Sequence, residues 1–277
     1  DYQIVSGFRK SKFWKKILVG VDVVVHCAAR AHVMLESEKD PLAAYREVNV
    51  EGTHNLAEHA ASCGIKRFIY ISSIKVNGEE TNERPFKADD IPAPEDFYGI
   101  SKWEAEQVLQ KIGCNSKMEI VIIRPPLVYG PEVRANFLKL MKLVKSGLPL
   151  PFGAIHNSRS FVAVDNLVDL ILICLHHPAA INQTFLVSDG DDLSTTELLR
   201  RTAKACGKPS RLIPIPVFLL RTAALLLGKA DFAQRLCGSL QIDISKAKQL
   251  LGWTPKVSVD EALLKTTKYF LKKNERH

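Results

Sequence analysis

The sequence lacks the cysteine pattern of a disulfide-stapled or metal-binding protein. Its six cysteines, at positions 27, 63, 114, 174, 206 and 237, are far apart, and no Cys-x-x-Cys pair occurs. A chain of 277 residues can bury a core without disulfide bonds, and the cysteine spacing matches no zinc site. The sequence therefore predicts reduced thiols in a cytoplasmic protein, with no metal site.

The sequence also lacks a long uninterrupted apolar run. The N-terminal residues are charged and contain no apolar stretch typical of a secretory signal. The most apolar window, residues 212–228, contains Pro214, Pro216 and Arg221 and is too short to span a bilayer. We expect no membrane span, and we predict a buried or interface helix in this window rather than a membrane-surface contact.

The net charge of +8 is the one feature that suggests nucleic-acid binding. Residues 1–16 contain five basic residues and one acidic residue, and so do residues 265–277. The positive excess therefore lies at the two ends, and the body between them is neutral. We interpret the ends as solvated tails and predict no nucleic-acid partner.

Short apolar runs alternate with helical patterns in the first half of the chain. The β-branched runs VDVVVHCA, KRFIYIS and MEIVIIRP have the length and composition of strands that are covered on both faces. Helical spacing separates them, in residues 42–63 and 98–112. Strand–helix–strand alternation of this kind predicts an α/β fold with a parallel sheet flanked by helices.

The pattern changes after Gly130. Four helical segments (136–146, 166–176, 195–206 and 259–270) and one strand, QTFLVSD, are separated by stretches rich in proline and glycine. We predict a first lobe over residues 1–130 and a smaller, mostly helical lobe over residues 131–277, between which the chain can cross back.

The motif FYGISKWEAE places Tyr98 and Lys102 four residues apart, on one face of a helix. An ammonium beside a phenol lowers the pKa of the phenol, which can then act as a general base or acid toward a sugar hydroxyl. The spacing alone is weak evidence, because Tyr269 and Lys273 repeat it in the basic tail.

The preceding strand supports Tyr98. The run RFIYISSIKVNGE ends in Ser72 and Ser73, about 25 residues upstream. Ligands of parallel sheets bind beyond the carboxyl ends of the strands. We therefore expect Ser73 and Tyr98 to face the same crevice, although a serine at a strand end is often only a turn residue.

The ordered motifs VDVVVHCAA, NVEGTHNL, YISSIKVNG, YGISK, RPPLVYGP and RSFVAVDNLVD resemble the extended short-chain dehydrogenase/reductase family of NAD-dependent nucleotide-sugar epimerases and dehydratases. The resemblance runs from about residue 21 to residue 271. It implies a Rossmann-like lobe for NAD or NADP and a C-terminal lobe for a UDP-sugar, in an enzyme of the kind used in polysaccharide biosynthesis. Family members commonly dimerise through two helices, here 42–63 and 98–112, so a homodimer is expected.

The resemblance also implies roles for individual residues. Tyr98 is similar to the catalytic base, Lys102 to the lysine that also holds the nicotinamide ribose, and Ser73 to the hydroxyl that aligns the substrate. The expected cofactor contacts are Ala28, Ala29, Asn49, Tyr98, Lys102, Pro125 and Pro126. The expected substrate contacts, besides Ser73, are Asn136 and Arg159 at the diphosphate, Leu150 and Phe152 at the uracil, and Arg235 as a second diphosphate arginine.

Two reactions fit this resemblance. In a UDP-sugar 4-epimerase, the C4 hydroxyl is oxidised to a 4-keto intermediate and reduced from the other face. In a UDP-4-keto-N-acetylhexosamine 4-reductase, a 4-keto sugar is only reduced. We expect the epimerase first and the reductase as the alternative.

The sequence departs from the family at the dinucleotide pyrophosphate. No Gly-x-x-Gly-x-x-Gly turn occurs in the 277 residues, and such turns bring backbone close to the pyrophosphate at a helix N-terminus. The first strand–helix–strand unit is therefore expected to be missing, and Phe8 stands where the family usually has an adenine-binding aspartate. A non-catalytic or truncated sugar-nucleotide-binding remnant is the alternative from another functional class.

Two further departures concern the reaction. Ser73, Ile74 and Lys75 stand where dehydratases of the family carry Thr-Asp-Glu, so the acid and base for water elimination are missing. Leu127 replaces an asparagine found in many 4-epimerases. Pro125-Pro126-Leu127 resembles a subgroup that acts on UDP-N-acetylhexosamines or their 4-keto forms.

Overall fold

A computed structural model describes residues 11–31 and 40–274 of the chain, excluding the side chains of residues 11–13, 135, 136, 231 and 274. Phe8 and the expected remnant of an adenine-side strand lie outside the described residues. The helices are α1 Ser11–Ile17, α2 Pro41–Arg46, α3 Gly52–Ser62, α4 Phe97–Cys114, α5 Ala135–Lys145, α6 Val164–His176, α7 Thr195–Ala205, α8 Val217–Leu226, α9 Ala230–Cys237, α10 Ser245–Leu251 and α11 Val259–Asn274. The strands are β1 Val23–His26, β2 Arg67–Ile71, β3 Glu119–Arg124, β4 Leu127–Tyr129, β5 Phe161–Ala163 and β6 Thr184–Leu186.

The main sheet is parallel, in the order β1-β2-β3-β6. Alternation along the strands sends side chains to two separate cores. Phe68 of β2 and Ile122 of β3 pack with Leu109 of α4 on one face, whereas Ile69 and Val121 pack on the other face in the core that also contains residues of α6 and α10. The α/β expectation of a parallel sheet flanked by helices is confirmed.

A second, two-stranded parallel sheet pairs β4 with β5. The sequence analysis did not predict these strands. Strand β6 follows them in the chain but pairs with β3 in the main sheet. The chain thus crosses back after β5, and the division at residue 130 is kept as a proposal.

The helix predicted in residues 212–228 is α8; of the two alternatives, a buried helix is wrong, and an interface helix stays a prediction. No residue of α8 is buried, and several of its large apolar side chains face outward, including Leu226, which is 82% exposed. High apolar content predicted burial, yet α8 lies at the surface, where it packs against α9. Among the described residues, no helix is long and apolar enough to cross a membrane.

Candidate active site

The carboxyl end of β2 brings Ser73 to Tyr98. Asp96 caps α4, and its side chain accepts a hydrogen bond of 2.7 Å from the backbone N–H of Gly99. This cap fixes the first turn of α4, which carries Tyr98. The Ser73 hydroxyl, which accepts a 3.3 Å hydrogen bond from the N–H of Lys75, is near enough to the phenol of Tyr98 to lower its pKa. The two predicted hydroxyl groups therefore lie near each other beyond the end of a parallel strand.

The environment of Tyr98 favours the neutral phenol. Burial raises its pKa to about 12, with a smaller increase from the Asp96 carboxylate, whereas the nearby Ser73 hydroxyl lowers the pKa. The ring of Tyr45 lies 6.2 Å from the ring of Tyr98. The expectation that Lys102 lowers the pKa of Tyr98 is not met, because Lys102 is not among the groups that shift it.

The reason lies in the position of the Lys102 ammonium. Lys102 is only 1% exposed; its Nζ donates a hydrogen bond of 2.7 Å to the carbonyl of Ile71 and lies 3.9 Å from the ring centroid of Tyr70. Burial lowers the pKa of Lys102 to about 7, and the Glu106 carboxylate only partly offsets this shift. Near neutral pH, Lys102 is a proton-exchanging group rather than a permanent cation.

Asn49 fastens the loop that follows β1. A π-helical turn, Glu47–Glu51, carries this buried side chain. Its Oδ1 accepts from the backbone N–H of Arg30 at 2.7 Å, while its Nδ2 donates to the carbonyl of Arg30 at 3.1 Å and to Ser101 Oγ at 2.9 Å. Asn49 thus ties the backbone next to Ala29 to helix α4.

The other expected cofactor residues surround the same strand ends. Ala28 is exposed and Ala29 half-buried, in the loop after β1. Pro125 and Pro126 are buried between β3 and β4, and the carbonyl of Pro125 accepts a 3.0 Å hydrogen bond from the N–H of Ile74.

A buried ion pair supports this edge of the sheet, and the sequence analysis missed it. Arg124 Nη2 lies 2.6 Å from Glu106 Oε2, with the side chains 4% and 0% exposed. The Ser72 hydroxyl donates to Glu106, and Arg124 also donates to Asn77 Oδ1 at 3.0 Å. Glu106 lies four residues after Lys102, where a charge on a helix is usually solvated, so only the register of α4 against the sheet identifies it.

Lys75 stands where dehydratases of the family carry the glutamate of their Thr-Asp-Glu motif. Its ammonium pairs with Glu79 at 2.5 Å and with Asp96. Ile74 beside it is buried. This arrangement offers no free carboxyl group at the positions where elimination needs one, in agreement with the sequence analysis.

Two of the expected substrate residues lie close to each other. Burial lowers the pKa of Arg159, and the charge of Arg235 adds a smaller lowering, whereas the carboxylates of Glu79 and Glu80 raise it. Arg159 also donates to the carbonyl of Gly238 at 2.9 Å. Paired guanidinium groups suit a diphosphate.

A groove of about 430 Å³ opens between residues 80–82 of the first lobe and residues of the second lobe. Two of its lining residues, Asn157 and Cys237, are two positions away in the sequence from Arg159 and Arg235, and neither Ser73 nor Tyr98 lines it. The residues that line it are Glu80, Thr81, Asn82, Ala154, Ile155, His156, Asn157, Val217, Cys237 and Ser239.

The remaining expected substrate residues are not brought to this groove. Leu150 is buried in a cluster with Leu199 and other residues, and Phe152 packs against that cluster. These are the contacts of core residues. Asn136 is in the first turn of α5, but its side chain lies outside the described residues.

Comparison with known proteins identifies the family. The sequence pattern of the NAD dependent epimerase/dehydratase family matches residues 7–188. The chain belongs to this family. It is 54% identical to the UDP-glucose 4-epimerase of Vibrio cholerae over 274 residues, which cover 98% of this chain and 84% of that enzyme.

More distant relatives agree. Identity is 27% over 279 residues with the N-acetyl-α-D-glucosaminyl-diphospho-ditrans,octacis-undecaprenol 4-epimerase of Escherichia coli O157:H7, covering 96% of this chain and 82% of that protein. The crystal structure of a UDP-glucose 4-epimerase from Thermotoga maritima with UDP-glucose superposes with a TM-score of 0.76 at 24% identity, covering 97% of this chain and 84% of that one. The Rossmann-like fold, the NAD-dependent enzyme class and the family predicted from the sequence are confirmed.

The described residues fit the nicotinamide side of NAD. The exposed backbone of Ala28, the loop fastened by Asn49, and the polar groups of Tyr98 and Lys102 meet at one edge of the sheet. A glycine-rich pyrophosphate turn is not found among residues 11–31 and 40–274. Lys102, Tyr98 and the loop after β1 are thus the groups suited to hold the cofactor.

Proposed function

We propose that this protein is a UDP-sugar 4-epimerase in which Tyr98, Ser73 and Lys102 form the catalytic group. The observation that carries the proposal is the meeting of the three groups at the carboxyl end of β2: the Ser73 hydroxyl lowers the pKa of Tyr98, and Lys102 donates to the carbonyl of Ile71, the last residue of β2. It occurs in a chain that is 54% identical to a UDP-glucose 4-epimerase.

In this mechanism Ser73 and Tyr98 bind the C4 hydroxyl of the sugar. NAD, when bound, supplies the acceptor and donor of the C4 hydride. Tyr98 takes the proton of the hydroxyl as the 4-keto sugar forms, and returns it after the sugar has turned in the site. Ser73, whose hydroxyl lies near the same phenol, keeps the reacting oxygens aligned.

The protonation states assign a second role to Lys102. A phenol with a pKa of about 12 releases its proton at neutral pH only if positive charge enters the site. Lys102, with a pKa of about 7, can supply that charge by taking up a proton. We infer that Lys102 becomes fully protonated when hydroxyl groups of a bound ribose accept hydrogen bonds from its ammonium group.

The diphosphate of the substrate is assigned to Arg159 and Arg235. The charge of Arg235 acts on Arg159, and both residues lie two positions in the sequence from residues that line the groove, Asn157 and Cys237, where a sugar diphosphate can be held. UDP is the preferred carrier because of the 54% identical relative. Phe152 and Leu150 stay proposals for the uracil side, Asn136 for the diphosphate, and Ala28, Ala29, Asn49, Pro125 and Pro126 for the cofactor.

Two further expectations are kept as proposals. A homodimer would form through residues 42–63, which include α3 and most of α2, and through α4; both α3 and α2 pack against α4. A cytoplasmic location is supported by the free thiols of Cys27, Cys63 and Cys114, which are exposed and would oxidise readily in an oxidising compartment.

The test compares two tyrosines of the chain. Tyr98→Phe should lower the turnover of UDP-glucose or UDP-N-acetylglucosamine, measured as C4 epimerisation by NMR, by about 100-fold or more, because the proton acceptor is lost. Tyr269→Phe is the matched control, since Tyr269 also precedes a lysine by four residues but donates to Glu132 at the surface. Its turnover should not change.

The same assay separates the alternatives. An epimerase returns its hydride, so the amount of reduced nicotinamide stays constant during turnover. Net consumption of NADH or NADPH with a UDP-4-keto sugar would show the reductase. Full activity of Tyr98→Phe would refute the mechanism, and absence of both NAD binding and turnover would show a remnant.

A further inference from the structure

One surface of the second lobe exposes apolar side chains that nothing in the described structure covers. Residues 213–232, here called the apolar hairpin, contain α8 and the first part of α9, which pack against each other. Monomeric proteins rarely leave a continuous apolar patch of this kind exposed without a function. Its large exposed residues are Ile213, Phe218, Leu219, Leu225, Leu226, Leu227 and Phe232.

The exposed residues of α8 form one continuous stripe. Phe218 and Leu225 are seven residues apart, as are Leu219 and Leu226, so both pairs lie on the same side of the helix. Phe218 is 66% exposed and Leu225 67% exposed. The half-buried residues of α8 (Val217, Leu220 and Ala224) lie on the opposite side, toward the protein.

Positive charge accompanies this stripe in the sequence. The hairpin itself contains Arg221 and Lys229 against Asp231, and four more basic residues flank it within residues 204–235. This stretch therefore has a positive excess inside a part of the chain that is neutral as a whole. The basic side chains, all of which are exposed, are Lys204, Lys208, Arg211, Arg221, Lys229 and Arg235.

The charge decides between two occupants of the surface. In a symmetric dimer the same patch meets itself, which would bring two sets of like charges together. A bilayer with anionic headgroups accepts both features, because apolar side chains enter the acyl boundary and cations pair with phosphates. Pro214 and Pro216 also keep the segment from extending into a spanning helix.

We propose that the apolar hairpin docks the protein onto the surface of an anionic lipid bilayer. Phe218, Leu225 and Leu226 insert into the interface, while Arg221 and Lys229 contact headgroups. The hairpin also supplies Val217 to the groove, and Cys237 at the end of α9 lines the same groove. Docking therefore places the substrate lobe next to the membrane surface.

The experiment measures co-sedimentation of the full chain with vesicles of phosphatidylcholine, alone or mixed with phosphatidylglycerol. The unchanged protein should bind the mixed vesicles, and binding should weaken as salt is added. Phe218→Ser combined with Leu225→Ser should weaken binding by about tenfold or more, because two buried apolar groups are lost. Lys229→Glu should weaken it by about fivefold or more.

Matched controls replace exposed residues elsewhere. Leu172→Ser changes an apolar residue of α6 that is 55% exposed, and Lys117→Glu reverses an exposed charge outside the hairpin. Both should leave vesicle binding unchanged. All variants should keep their turnover of a water-soluble UDP-sugar, which shows that they are folded.

Three results would overturn the proposal. The unchanged protein does not bind phosphatidylglycerol vesicles at low salt. The double variant binds them as well as the unchanged protein. Light scattering shows that the double substitution converts a dimer into a monomer while vesicle binding is absent, in which case the patch is an interface between two copies.

Discussion

At the scale of single residues, burial determines the protonation of Lys102. Its ammonium lies among the carbonyl of Ile71, the ring of Tyr70 and the carboxylate of Glu106. The sequence identified Lys102 from its spacing to Tyr98, but spacing alone does not show where a flexible side chain ends. The expected effect of Lys102 on Tyr98 is therefore absent, although the Ser73 hydroxyl does lower the pKa of Tyr98.

Lys102→Met should separate activity from stability. Turnover should fall by about 100-fold or more, whereas the urea midpoint at pH 7 should stay equal or rise, because a buried ammonium is costly. The folded pKa of about 7 lies below the 10.5 that is ordinary for a lysine in an unfolded chain. Between these pH values the unfolded chain binds more protons, so the stability of the unchanged protein rises with pH.

The measurement is urea unfolding at pH 7 and pH 9 for both proteins. The unchanged protein should gain stability relative to Lys102→Met as the pH rises. A parallel pH dependence of the two proteins would show that Lys102 keeps its ordinary pKa when folded.

At the scale of elements, the strands and helices of the first half follow their sequence patterns closely. The run MEIVIIRP became β3 and the helix expected at 98–112 became α4. Strands β4 and β5 were missed because each has three residues, too few for a period of two to be visible. The π-helical turn at Asn49 lies within residues 42–63, where the spacing of apolar residues predicted one continuous helix.

Helix α8 shows that its burial could not be predicted from the sequence, although its helical structure could. Its apolar residues were correctly expected to form a helix, but burial also depends on whether another surface of the chain lies opposite, which the sequence does not reveal. The buried pair of Glu106 and Arg124 was missed for the same reason. Only packing shows that α4 presents Glu106 to the sheet.

The carboxylate of Glu106 on helix α4 neutralises the buried charge of Arg124. Glu106→Gln should lower the free energy of unfolding by about 3–5 kcal/mol, because it leaves the charge of Arg124 buried and unpaired. Glu104→Gln is the control on the same helix, since Glu104 pairs with the exposed Arg46, and it should have little effect. Urea denaturation measures the free energy of unfolding of both variants. Equal losses would contradict the conclusion that burial makes the pair of Glu106 and Arg124 more important than the exposed pair.

At the scale of the whole molecule, the two predicted lobes share one sheet. Strand β6 is paired with β3, and Phe185 of β6 packs in one core with Val121 of β3. Tyr129 of β4 donates to Asp189, which also accepts from the amide of Asn166 on α6. Residues 131–277 therefore obtain part of their strand pairing and core packing from residues 1–130.

A fragment of residues 131–277 should not fold alone. It would leave β6 without its partner strand and α6 without the apolar face of the sheet. Circular dichroism during heating should show a cooperative transition for the full chain and none for the fragment. A cooperative transition in the fragment would establish residues 131–277 as an independent domain.

Strand β1 has a consequence for handling the protein. It is the outermost strand of the main sheet, and within the described chain no strand pairs with its free side. Val25 there is 38% exposed. A β-branched strand with open main-chain groups can recruit a strand from another molecule, so concentrated solutions should form intermolecular β-structure and aggregate unless that side is covered.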